Sequence, residues 1–80
     1  MTPTTPISNI IGPVEIRLPE LGLRAHLRFT RNRRGVNVYI ERQSKRVALT
    51  RGMPGNMLLS ELVARINNIS KTCNRPQIAL

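Results

Sequence analysis

Apolar and polar residues alternate along most of the chain and then switch to a helical period. Val14, Ile16 and Leu18 interleave with Glu15 and Arg17, and Pro13 and Pro19 bracket them, so this run reads as a short edge strand. Pro19 to Gly22 has proline early and glycine last, the order of a reverse turn. The next alternation is the clearest. Leu23, Ala25, Leu27 and Phe29 share one face of a strand, and Arg24, His26, Arg28 and Thr30 share the other.

Arg31 to Gly35 predicts a hairpin loop, with Asn32 and Gly35 suited to positive φ. Val36, Val38 and Ile40 resume the buried row and leave Asn37, Tyr39 and Glu41 outside. A turn around Gln43 and Ser44 leads to a strand from Arg46 to Arg51, with Val47 and Leu49 inward. Gly52 to Gly55 breaks that strand, and Asn56 is expected to cap a helix. From Met57 the stripe Leu58, Leu59, Leu62, Val63, Ile66 and Ile69 predicts a helix ending between Asn68 and Ser70. Ser60, Glu61, Arg65, Asn67 and Asn68 fall on its outer side.

The expected fold is α+β: a small antiparallel meander of three to four strands, covered on one face by a single C-terminal helix. Residues 1–12 read as a flexible lead-in, 13–70 as one domain and 71–80 as a tail. Both ends carry apolar residues able to dock, namely Ile7, Ile10 and Ile11 in the lead-in and Ile78 to Leu80 in the tail. A core this small supplies only about 3–5 kcal/mol of net stability. Cys73 is the only cysteine, so no intramolecular disulfide staples the chain. Dimerisation is one way to add stability, and the apolar ends suit a homodimer. No charged leader precedes an apolar run, and no stretch approaches the ~18 apolar residues of a membrane span. A cytoplasmic protein without membrane partners is expected, nucleoid-associated if it binds DNA.

Charge changes this picture from a generic small domain to a candidate binder. Thirteen basic residues against four acids give a formal charge of +9. Nine of the thirteen lie between Arg24 and Arg51, where Glu41 is the only acid. Eleven are arginines, whose planar fork reads phosphates and guanine edges in fixed geometry. Strand parity places Arg24, His26, Arg28, Asn37, Tyr39 and Arg46 on one exposed face, and Arg31, Arg33 and Arg34 on the hairpin loop, with Arg51 ending the last strand. A solvated face normally mixes signs, and this one is nearly all positive. Tyr39 has two readings of equal weight, stacking on a base or packing across strands over arginine stems.

Catalysis is not expected. One histidine, one cysteine and no aspartate cannot assemble a triad or a metal cage, and no phosphate-binding glycine loop is present. Neither a cofactor nor a metal is expected, and His26 reads as a solvent-exposed residue beside arginines.

The order of strands 23–30, 36–42 and 46–51 followed by a helix at 57–69 resembles the three-stranded sheet plus helix of integrase arm-binding and AP2-type domains. The likeness lies in topology and basic strands. This chain adds a strand at 14–18 and lacks the aromatic pattern of those domains and any recombinase region. The resemblance implies a sheet docked in the DNA major groove through Arg24, Arg28, Asn37, Tyr39 and Arg46. The expectation is a small non-enzymatic nucleic-acid-binding protein, DNA favoured over RNA, of a phage or mobile-element accessory or regulatory kind. The alternative is an inhibitor or adaptor whose arginine face binds an acidic surface of a partner protein.

Overall fold

The computed structural model describes residues 2–80, so Met1 of the expected lead-in lies outside the described residues. Strands β1 (Val14–Leu18), β2 (Leu23–Asn32), β3 (Gly35–Arg42) and β4 (Lys45–Met53) form one antiparallel sheet in the order β1-β2-β3-β4. The helix α1 (Leu59–Thr72) follows the sheet. This is the α+β meander that the alternation predicts.

Register shows which residues share a face. Ile16 opposes Ala25, Leu27 opposes Ile40 and Phe29 opposes Val38, so the apolar rows meet across three strands. The helix lays Leu59, Leu62 and Ile66 on this layer, with the sheet residues in one cluster. Ser70 continues that inner row, while Ile69, expected in the stripe, faces outward and is exposed.

The ends of the chain depart most from expectation. The segment before Pro13 is packed. Ile7 is 0 % exposed and Ile10 1 %, and both belong to the main core. Ile7 starts a short 3-10 turn (Ile7–Asn9), and its N–H donates to the Met57 carbonyl at 2.9 Å. The same segment caps the helix. Leu59 N–H donates to Thr5 O at 3.0 Å and Ser60 N–H to Pro3 O at 2.9 Å, satisfying two N–H groups that a helix start otherwise leaves unpaired. Leu58 occupies the N-cap position without a side-chain cap, so Asn56 does not serve as the cap.

The helix runs past its expected end to Thr72. It closes with Asn74 in the left-handed region at φ 57° and Arg75 N–H donating to Ser70 O at 2.8 Å, a Schellman-type stop. That stop turns residues 75–80 back along the helix. Asn67, expected on the solvent side, clamps the returning tail: its Oδ1 accepts from Ile78 N–H at 2.9 Å and its Nδ2 donates to Ile78 O at 3.1 Å. Ile78 is buried. Ala79 and Arg17 exchange main-chain hydrogen bonds of 2.8 and 2.9 Å, so the tail covers the outer edge of β1. The radius of gyration is 11.8 Å, close to the roughly 12 Å of a folded chain of this length, consistent with both ends lying on the domain.

Two turns set the ends of the sheet. At the β2–β3 hairpin only Arg33 and Arg34 lie outside the strands, and Asn32 opposes Gly35. Gly35 takes φ 124°, whereas Asn32 stays at negative φ and instead accepts Arg34 N–H on Oδ1 at 2.8 Å. The β3–β4 hairpin turns on Gln43 and Ser44, with φ of 50° and 66°, the backbone of a type I′ turn. β4 does not stop at Arg51. Register shifts relative to β3 between Tyr39 and Val36 mark bulges that carry it on to Met53. Gly52 supplies the positive φ of 67° there.

Candidate nucleic-acid interface

The polar face of the sheet carries Glu15 and Arg17 on β1, Arg24, His26 and Arg28 on β2, Tyr39 and Glu41 on β3, and Arg46 on β4. Parity thus groups Arg24, His26, Arg28, Asn37, Tyr39 and Arg46 as expected. It also brings acids into the same face. Glu41 takes Arg28 at 3.2 Å and Arg46 at 3.1 Å, and Glu15 lies 3.6 Å from Arg24. Arg24, Arg28 and Arg46 therefore have carboxylate partners, while Arg17 donates to the Leu80 carbonyl, and the face is less positive than its cations alone imply. The hydrogen bond from Arg46 acts most strongly on the Glu41 carboxyl, and burial opposes it next. The hydrogen bond from Arg28 and the charges of both arginines add to the lowering, which leaves the group below its ordinary value of 4.5.

His26 sits opposite Glu15 on one side and Glu41 on the other. Its cross-strand neighbours are thus acids, although its neighbours along the strand are arginines. Arg28 lies flat against the sheet with its Nε buried and unpartnered. Tyr39 has the Arg46 guanidinium 6.0 Å from its ring centre, which matches the cross-strand packing reading on that side.

Arg31 occupies a different place from the one expected. It opposes Val36 within β2, on the core side of the sheet, and not on the mobile tip. Its Nε donates to Ser8 O at 3.0 Å and its Nη2 to Ile10 O. Arg31 therefore ties the N-terminal segment to β2 and is not available as a loop cation.

Three of the cations without a carboxylate partner among the described residues gather at one end of the sheet. Arg33 and Arg34 sit at the β2–β3 tip, and Arg51 lies beside them on β4. Asn32, Arg34, Asn37, Tyr39, Arg51 and Gly52 line an open polar depression of about 490 Å³ at that end of the sheet. Asn37 Oδ1 accepts Gly52 N–H at 3.1 Å, which fixes the carboxamide against the bulge. Asn32 and Gly52 were not among the residues that parity selects. The Asx-type contact at Asn32 leaves a trace in the Asn-Arg-Arg-Gly run, but the bulge that brings Gly52 inward leaves none. Arg42 and Lys45 occupy the opposite end of the sheet, about 24 Å away along β3.

Among the described residues no cluster of histidine, cysteine or acid side chains could hold a metal ion. No helix among them is long and apolar enough to cross a membrane. Comparison with family models, with curated protein sequences and with solved structures gives no match for this chain.

Proposed function

We propose that this protein binds nucleic acid, double-stranded DNA before RNA, through the β2–β3 end of its polar sheet face. The observation that carries this reading is the depression where Arg34 and Arg51 converge, without acidic partners, on Asn32, Asn37 and Tyr39. Two guanidinium forks fit phosphate oxygens, and two carboxamides and a phenol supply the donors and acceptors that base edges require. Arg33 extends the charge at the tip toward the flanking backbone. A twisted antiparallel ribbon enters the roughly 12 Å wide major groove of B-DNA, whereas the deep, narrow major groove of duplex RNA excludes it. Arg24, Arg28 and Arg46 stand in a second rank, because binding there must first release Glu15 or Glu41. This arrangement supports an accessory or regulatory binder of the integrase arm-binding or AP2 type.

Fluorescence anisotropy with duplex DNA and duplex RNA at two salt concentrations tests the reading. Wild-type protein should bind DNA with log K falling by about 0.9 for each phosphate neutralised per tenfold rise in salt. Arg34→Ala/Arg51→Ala should weaken binding and flatten that slope by nearly two phosphates, and more than Arg24→Ala/Arg28→Ala does. Salt-independent binding, or an undiminished affinity in the tip variant, would overturn it. Retention of a partner after nuclease treatment of the co-purified protein would favour an acidic protein surface instead.

A further inference from the structure

The helix does not cover the whole apolar face of the sheet. Where β3 and β4 run toward the Gln43–Ser44 turn, a cleft of about 290 Å³ opens between Leu18, Ile40, Val47 and Leu49 on the sheet and Ile66 and Ile78 on the other side. Val47 opposes Ile40 on the inner face, as its alternation predicts, yet it is 55 % exposed because nothing lies over it. A second hollow of about 260 Å³ shares Leu18, Ile40 and Val47 and extends the cleft to Gln43 and Lys45. Arg42 stands at the mouth of both, and Arg75 stands on the opposite wall. Arg42, Lys45 and Arg75 have no acidic partner among the described residues.

The cleft adjoins the open edge of the sheet. The tail covers the outer edge of β1, but among the described residues no strand lies beyond β4. From Lys45 to Ala48 the register with β3 is regular. The alternation of an antiparallel ladder leaves main-chain groups of every second residue here pointing away from β3, unpaired and able to accept another strand. A second copy of this chain is a poor occupant, because antiparallel self-pairing centred on Ala48 would set Lys45 of each copy against Arg51 of the other.

We infer that the β4 edge and its apolar cleft bind an extended segment of a partner protein whose cleft-facing residues, every second one along the strand, are bulky and apolar over the cleft and acidic toward the Gln43–Ser44 end. The segment adds to β4 as a further strand. Its apolar side chains cover Val47 and enter the cleft, and carboxylates on that same face of the added strand meet Arg42, Lys45 and Arg75, which line the cleft with Val47. This site lies at the far end of the sheet from Arg34 and Arg51, so both can be occupied together.

A fluorescent peptide alternating threonine with leucine, in which the last leucine positions are glutamate so that leucines and glutamates share one strand face, serves as the probe, read by anisotropy and by amide chemical shifts of the full chain. The peptide should bind and shift the amides of Val47, Leu49 and Ile66, and added salt should weaken it. Arg42→Glu/Arg75→Glu, both at exposed positions, should bind about tenfold less tightly, the loss expected of two rim ion pairs. Duplex DNA affinity should respond far less to that variant than to Arg34→Ala/Arg51→Ala. Three results would overturn the inference. The same peptide with lysine in place of glutamate, if it binds equally well, removes the role of charge. Decanoate that binds more tightly than the peptide marks a small-molecule site. Shifts at Val47 that depend on protein concentration alone mark self-association.

Discussion

Glu41 lies 3.2 Å from Arg28 and 3.1 Å from Arg46, so one carboxylate holds two of the four arginines on the polar sheet face. The pairing has opposite consequences for the fold and for anion binding. It orients two long side chains across three strands, and it also competes with any phosphate for them. Glu41→Gln should therefore bind duplex DNA more tightly at low salt than wild type, with a salt slope steeper by as much as about two phosphates. An unchanged or weaker affinity would place Arg28 and Arg46 outside the interface. The pH dependence has a definite sign. The folded-state value of Glu41 is lowered, so its contribution to stability is fully present above the ordinary value of 4.5 and is lost as pH falls through the lowered one. Acid melts of wild type and Glu41→Gln should therefore converge below that range and separate above it.

At the scale of elements, the two hairpins make unequal demands on sequence. A Cβ at Gly35 would sit 2.5 Å from the Met53 carbonyl oxygen, and the residue holds φ 124°. Neither the neighbouring backbone nor the dihedral accommodates a side chain, because β4 crosses there on its bulge. Gly35→Ala should cost about 2 kcal/mol or more, read as a lowered urea midpoint, and it should also deform the depression between Arg34 and Arg51. A midpoint within error of wild type would show that the hairpin end adjusts freely. Gly35 was legible in the sequence as a turn residue. The reason for it was not, since the contact depends on Gly52 and Met53, which alternation reads as a break after β4. Period-two alternation reports a face only while the ladder is regular. Each bulge adds a residue and resets parity, and so Gly52 joins the site without a sequence signal, while charge and not parity marks Arg51. Arg31 escaped for a related reason. Four polar or charged residues in a row before a glycine look like a loop, although β2 extends through Arg31 and Asn32.

At the scale of the whole molecule, the central meander and the inner row of the helix followed from local spacing, because each needed only its own residues to specify a face. The ends did not, because their structure depends on partners far away in the chain. The lead-in is uncharged and rich in threonine and proline, the composition of a free segment, yet Ile7 and Ile10 fill the core beside the helix. Its carbonyls at Pro3 and Thr5 supply the helix cap that Asn56 was expected to provide. Removal of residues 1–12 thus exposes two isoleucine sites worth about 1.5–3 kcal/mol each and leaves two helix N–H groups unpaired. It also strips Arg31 of both its acceptors, Ser8 O and Ile10 O. Together these losses match or exceed the roughly 3–5 kcal/mol that a core of this size supplies. The truncated chain should be largely unfolded by circular dichroism at 25 °C, and Ile7→Ala alone should cost about 2–5 kcal/mol. Ile11→Ala is the control: at 89 % exposure it should stay within about 0.5 kcal/mol of wild type. A truncated chain that melts cooperatively near the wild-type temperature would mean that the segment rests on the domain without holding it together. The helix N-terminus would then need a cap of its own, with Asn56 the nearest side chain able to provide one.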